Sequence, residues 1–132
     1  MATRIREKAA ARKANVDKRP RATATFVRIT PKKAGMVLDL VRGKKYDEAL
    51  AILTNINNAS SDVVKKLIVS AGANAENNLN MPKDGLYVAE CYATGASLMR
   101  RVKFRGRGRV DNRVLKRSCH ITIVLDEQKE AK

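Results

Sequence analysis

Residues 98–117 read LMRRVKFRGRGRVDNRVLKR, and apolar runs with strand character flank them, GLYVAECYATGA before and SCHITIVLDE after. Between positions 100 and 117 there are nine Lys/Arg and one acid. Two β-like runs joined through a glycine-containing basic segment fold most simply as a long antiparallel hairpin with a cationic far end. A reversal at Gly106–Gly108 gives arms over residues 86–105 and 109–125. Arms of about 18 residues at ~3.3 Å each span on the order of 60 Å. A body of ~80 residues is only about 25–30 Å across. About half of the hairpin must then project, and a lone two-stranded ribbon is marginal in water. Leu98, Met99, Val102, Phe104 and Val110 are too few for a second core. The distal half therefore needs a partner to be ordered. Gly95-Ala96 in the outbound arm marks a bulge or bend.

The remaining charge is segregated as well. Residues 1–34 carry net +9, 35–99 carry −1, 100–117 carry +8 and 118–132 carry −1, within a total of +15. A near-neutral middle flanked by cationic segments suggests a body that packs and arms that bind a polyanion. No apolar run approaches the ~18 residues of a membrane span. Residues 1–20 lack the apolar stretch of a signal peptide, and their missing serine argues against a mitochondrial presequence. Cys91 and Cys119 with the single His120 cannot build a zinc site unless carboxylates help. They read as reduced, half-buried thiols, and no metal or cofactor is expected.

Along the chain, residues 1–20 form a basic extension, partly helical around 7–14 but without an apolar face, and are expected to order only on a partner. Residues 21–132 form one α+β domain. RATATFVRI at 21–29 alternates like a strand. Thr30-Pro31 is a helix start, Ala34, Val37, Leu38 and Val41 keep helical spacing, and Gly43 closes the helix. A second helix fits 46–53. A third, capped by Ser60, Ser61 or Asp62, presents Val64, Leu67, Ile68, Ala71 and Ala75. Gly72 in its middle costs about 1 kcal/mol against Ala, so it reads as a close contact with another backbone.

The basic stretch is expected to contact RNA. The planar guanidinium meets phosphate oxygens in pairs and stacks on bases, and Gly106 and Gly108 permit positive φ and close approach. Arg28, Lys32 and Lys33 surround a helix N-terminus, itself a phosphate site. His120, beside Ser118 and Cys119, lacks an orienting acid for catalysis and reads as structural or RNA-packing. Two other classes compete. One is an architectural DNA-binding protein with a minor-groove ribbon, which would need a spare apolar face for dimerisation. The other is an RNA-processing enzyme, which would need a metal cluster, a carboxylate pair or a nucleophile constellation.

Seven blocks resemble the universal large-subunit ribosomal protein family L-twenty-two. They are VRITPKKA from Val27, DLVRGK from Asp39, EALAIL from Glu48, SA with ANAENN from Ser70, LYV from Leu86, RGRGR from Arg105 and KRSCHIT from Lys116. The resemblance covers about 22–126. It departs in a longer extension before Ala22, in Gly95-Ala96-Ser97 for an acidic-Gly-Pro turn, in Phe104 and Gly106 for Pro and Ala, and in Cys119 for Ser.

The resemblance implies three helices on a small three-stranded antiparallel sheet, with a long protruding hairpin over about 86–126. It implies a structural, non-enzymatic role in the cytoplasmic ribosome, binding large-subunit ribosomal RNA and aiding assembly. The body would sit by the mouth of the peptide exit tunnel beside neighbouring large-subunit proteins, and the hairpin would line the tunnel and meet the nascent peptide. No membrane and no homo-oligomer are expected. The RNA-binding set becomes Arg28, Lys32, Lys33, Arg42, Lys44, Arg100, Arg101, Lys103, Arg105, Arg107, Arg109, Arg113, Lys116, Arg117 and His120. The tunnel-lining tip becomes Met99, Arg100, Arg101, Arg105, Gly106, Arg107, Gly108 and Arg109.

Overall fold

The computed structural model describes residues 2–15, 17–105, 107 and 109–127. The elements run α1 (Ala2–Ala14), β1 (Arg21–Val27), α2 (Pro31–Val41), α3 (Tyr46–Asn55), α4 (Ala59–Leu79), a 3-10 turn (Lys83–Gly85), β2 (Leu86–Gly95), β3 (Met99–Arg105), β4 (Arg109–Lys116) and β5 (Cys119–Glu127). The chain is α+β with antiparallel sheets. One sheet has the order β1-β5-β2, and β3-β4 form a second of two strands. Three helices were expected and four are described. The additional one is α1, whose Ala, Arg, Lys and Glu favour helix. Its side chains from Thr3 to Ala14 are all exposed, so these residues bury nothing.

The core lies between one face of the three-stranded sheet and α2, α3 and α4. Central strand β5 buries Ile121, Ile123 and Leu125 completely. From α2 come Ala34, Val37, Leu38 and Val41, the helical spacing read in the sequence. Thr30 occupies the N-cap and Pro31 follows, yet the Thr30 hydroxyl makes no capping bond. Its carbonyl accepts from the amides of Lys33 and Ala34 instead. Gly43 turns out of the helix at φ 75 and donates to the Val88 carbonyl, while Val88 donates to the Lys44 carbonyl. The α2–α3 connection is thus stitched to β2.

The cap of α4 differs from the sequence expectation. Asn58 accepts from the Ser60 amide at 3.1 Å, so the helix begins earlier than a Ser60 or Asp62 cap would give. An amide two residues after an extended Asn is within reach of its short side chain. Ser61 then lies inside the first turn and donates to the carbonyls of Ile56 and Asn58. Gly72 faces a side chain, not a backbone. A methyl group there would lie 2.7 Å from the Tyr46 ring of α3.

The expected hairpin is paired in two pieces. β2 and β5 pair from Leu86↔Glu127 to Gly95↔Cys119, and β3 and β4 from Met99↔Lys116 to Arg105↔Arg109. The ladder breaks over 96–98, at the Gly95-Ala96 irregularity. There the Ala96 amide donates to the Ser118 carbonyl at 3.0 Å and the Ser118 hydroxyl to the Ser97 carbonyl at 2.6 Å.

Before β1, Arg19 clamps the chain to β2. Its guanidinium donates to Asp17 at 2.7 Å and to Glu90 at 2.7 Å, and its backbone N–H also meets Asp17. These bonds to Arg19 hold the Asp17 carboxyl down to about 2.

Gly72→Ala is expected to destabilise the protein by roughly 1 kcal/mol in urea unfolding, since overpacking against Tyr46 outweighs the helix-propensity gain. In a Tyr46→Leu background the same change should stabilise. A Gly72→Ala protein more stable than its parent would remove the Tyr46 contact as the reason for glycine. The Asp17 carboxyl gives a second test. Its folded pKa lies below the ordinary 3.8, so the clamp's stabilisation is full above about pH 4 and is lost as pH falls towards 2. NMR titration should find that low midpoint, and Arg19→Gln should return it to the usual carboxylate range.

Candidate nucleic-acid interface

β3 and β4 carry their cations on both faces. Directly opposed residues in an antiparallel pair share a face, and faces alternate along each strand. Met99↔Lys116, Arg101↔Val114 and Lys103↔Asn112 make one face. Arg100↔Leu115 and Val102↔Arg113 make the other, with Phe104 beyond them. Arg100, Arg101, Lys103, Arg113 and Lys116 are all exposed, as are Val102, Phe104 and Leu115. A ribbon meant to lie flat on its own body would need one apolar, cation-free face, and this one has none. An extra residue on β4, between the pairs Lys103↔Asn112 and Phe104↔Val110, bulges the ladder near its end. Arg105 and Arg109 stand opposite each other in register, and Arg107 between them is exposed with left-handed backbone at φ 57. Gly106 and Gly108, expected to take positive φ, lie outside the described residues.

At the root of the ribbon a cleft of about 290 Å³ is lined by Arg28, Lys33 and Arg117. The start of α2 at Thr30 and the start of α4 at Asn58, Ala59 and Ser60 complete its wall. Two positive helix ends and three cations converge there, an arrangement suited to a phosphate. The Ser60 hydroxyl is buried without a hydrogen-bond partner among the described residues. Lys32 is exposed on the first turn of α2 but does not line this cleft.

Other expected site residues lie apart. Arg42 and Lys44 follow the far end of α2. Arg42 is partly committed to the body: it donates to the Cys91 carbonyl at 3.0 Å and pairs with Asp39 at 2.8 Å. Lys44 is exposed. His120 is half-buried on β5, where its Nδ1 accepts from the Phe26 amide at 3.1 Å and its ring meets Phe26 edge-on at 4.8 Å. Sequence reasoning missed Phe26, Arg19 and the Asn58–Ser60 wall. A signal for Phe26 was available: it is one of two phenylalanines in a chain without tryptophan, two residues before Arg28.

The described residues offer little to covalent or metal chemistry. Cys91 and Cys119 are free and buried, not half-exposed, and burial pushes both thiols up. The Cys91 thiol donates to the Leu38 carbonyl at 3.3 Å. No cluster of three His, Cys, Asp or Glu able to hold a metal occurs among the described residues. No helix among them is long and apolar enough to cross a membrane.

Comparison with known proteins agrees with the resemblance in the sequence. The family profile described as ribosomal protein L22p/L17e matches residues 22–126. Large ribosomal subunit protein uL22 of Lachnoclostridium phytofermentans is 49% identical over 117 residues, 89% of this chain and 91% of that protein. The protein of the same name from Lachnospira eligens is 47% identical over the same length. That of Pelotomaculum thermopropionicum is 46% identical over 110 residues, 83% of this chain and 96% of the relative. With half the residues shared across nearly the whole length, and the match spanning β1 to β5, the chain belongs to the ribosomal protein L22p/L17e family.

Proposed function

We infer that this chain is a structural constituent of the large ribosomal subunit, bound to its ribosomal RNA and not an enzyme. Its place is the ribosome in the cytoplasm. The observation that carries the RNA-binding reading is the ribbon with exposed cations on both faces. Such a ribbon has no docking face for its own body, yet it suits a groove walled by phosphates on either side. Arginine dominates it, as bidentate phosphate contact favours. The root cleft with Arg28, Lys33 and Arg117 then takes a phosphate where ribbon and body meet.

The finer reading is supported by this arrangement and by family membership. Residues 21–132 act as one body-and-hairpin domain, and in the basic extension 1–20 the stretch before Asp17 is the part that a partner orders, because Arg19 already ties the chain to β2. The ribbon projects into the subunit and lines the peptide exit tunnel with Met99, Arg100, Arg101 and the segment 105–109, where it meets the nascent peptide. Arg28, Lys32, Lys33, Arg42, Lys44, Arg100, Arg101, Lys103, Arg105, Arg107, Arg109, Arg113, Lys116, Arg117 and His120 form the RNA-facing set. Threading one ribbon between RNA segments joins regions distant in the RNA sequence, which gives the protein its part in assembly. It acts as a single copy among neighbouring large-subunit proteins.

The first test is sedimentation of a cell extract through a high-salt sucrose gradient. The chain is expected to stay with the large subunit, and release to the top of the gradient would count against an integral role. For the purified chain, log affinity for ribosomal RNA should fall with log salt by roughly 0.7–0.9 per phosphate neutralised. Replacing Arg28, Lys33 and Arg117 together by Ala should flatten that slope by roughly 0.7–0.9, the share of the one phosphate held there. A slope unchanged by the triple variant would remove the cleft from the interface, and equal affinity for duplex DNA would favour an architectural DNA role. Hydrogen exchange supplies a further expectation. Amides of residues 99–105 and 109–116 should exchange fast in the free chain and slowly in the ribosome. Strong protection in the free monomer would contradict a ribbon ordered by RNA.

A further inference from the structure

In an unbroken β1, residues 22, 24 and 26 would all face the core, because side chains alternate with period two. Ala22 is buried and Ala24 packs against the core, yet Phe26 is 60% exposed. The cause is a β-bulge. Ala24 pairs with Ile121 and Val27 with Cys119, so Thr25 and Phe26 together oppose His120 alone. The extra residue hands the inward position to Val27, which packs on the core, and turns the aromatic ring outward. Phe26 sits at φ 55, a left-handed conformation that is an outlier for a bulky side chain. Exposed aromatic area and a strained backbone are both unfavourable for the free protein, and such strain collects at working sites. His120 holds the arrangement by accepting the Phe26 amide proton and packing against the ring.

A groove of about 340 Å³ opens beside the ring, lined by Leu98 and Met99 on the apolar side and by Arg28 and Lys116 on the charged side. The Arg28 guanidinium rests 3.3 Å from the Met99 sulfur, which keeps it over the groove. No acid lines it. We propose that Phe26 is a stacking platform for one unpaired RNA base, with the flanking phosphates on Arg28 and Lys116. This rests on the RNA-binding reading above. A flat apolar face next to a rim of two cations and the neutral Ser97 and Ser118 fits a nucleobase on its anionic backbone, the way single-stranded RNA is commonly held. A peptide segment could use the apolar wall, but it would leave two cations without fixed anions.

The chain contains no tryptophan, so Phe26→Trp gives the full-length protein a single indole emitter at the platform. Ribosomal RNA is titrated in, and binding is followed independently by filter retention. Emission is expected to fall severalfold as RNA binds, with affinity within about twofold of the parent. Phe26→Gly should unfold no earlier than the parent, because glycine is at ease at that φ, yet bind RNA about tenfold more weakly. RNA retained with Trp emission unchanged would overturn the stacking role and leave the RNA-binding reading standing. No retention at low salt would sink both. Quenching by large-subunit proteins but not by RNA would assign the groove to a protein neighbour. A Phe26→Gly variant that loses stability and affinity together would make Phe26 a structural residue only.

Discussion

Strand β5 is the element on which everything else hangs. It pairs with β1 on one side and β2 on the other, and its inward residues Ile121, Ile123 and Leu125 have no exposed surface. Its neighbour β2 and β5 itself are also the strands that lead into the ribbon. The base of the cationic ribbon is therefore held by the hydrophobic core, since β2 and β5 cannot rotate without unpacking α2 and α4. A ribbon that is weak as an isolated two-stranded sheet gains a rigid base in this way. Only the segment beyond the break at 96–98 is left to its own pairing.

Charge follows the same division. The packed helices α2, α3 and α4 and the three-stranded sheet are close to neutral, so their packing is not opposed by self-repulsion. The cations gather where packing is absent: along β3 and β4, around the root cleft and before β1. Arg42 and Arg19 show what a cation does when it belongs to the body. Each finds a carboxylate or a carbonyl of β2, and its charge is spent on holding the chain in place. Arg100, Arg101 and Lys103 have no such bond to a carboxylate or carbonyl among the described residues. This difference in partners, more than the number of cations, separates the unpaired charge of the ribbon from the structural charge of the body.

Much of this was legible in the sequence, for physical reasons that differ by element. Helix α2 announced itself through spacing and Pro31, and the β2–β5 pairing through strand-like runs on either side of a basic turn. The α+β class agrees with the resemblance, but its three helices on three strands are matched only in part, since four helices and a second, two-stranded sheet occur among the described residues. The α4 cap was misread because three candidate capping residues follow Asn58, and only the backbone conformation at Asn58 chooses among them. Gly72 was rightly taken for a packing position, but its neighbour is the Tyr46 ring, from a different helix, and no local pattern names such a partner. The Phe26 bulge was invisible, since strict alternation through RATATFVRI predicts an unbroken strand. The break is visible only in the register against β5.

That bulge and the ladder break sit at the same level of the fold. His120 pairs with Thr94 on one edge and faces the doubled Thr25-Phe26 on the other, and the next pair, Gly95↔Cys119, is the last before β2 ends. The Ser118–Ser97 hydrogen bond and the Arg28–Met99 contact join the two irregularities across the ribbon root. Sheets usually depart from regular pairing where a side chain must be re-aimed. Here both edges of β5 depart within two residues of one another, while the pairs deeper in the body stay regular apart from one shift in β2 near Val88. The consequence is a collar of an exposed ring, a half-buried sulfur, and exposed guanidinium and ammonium groups where the neutral body ends and the cationic ribbon begins. A ligand seated in that collar would touch body and ribbon at once, and would fix the angle between them more firmly than any contact further out along the strands.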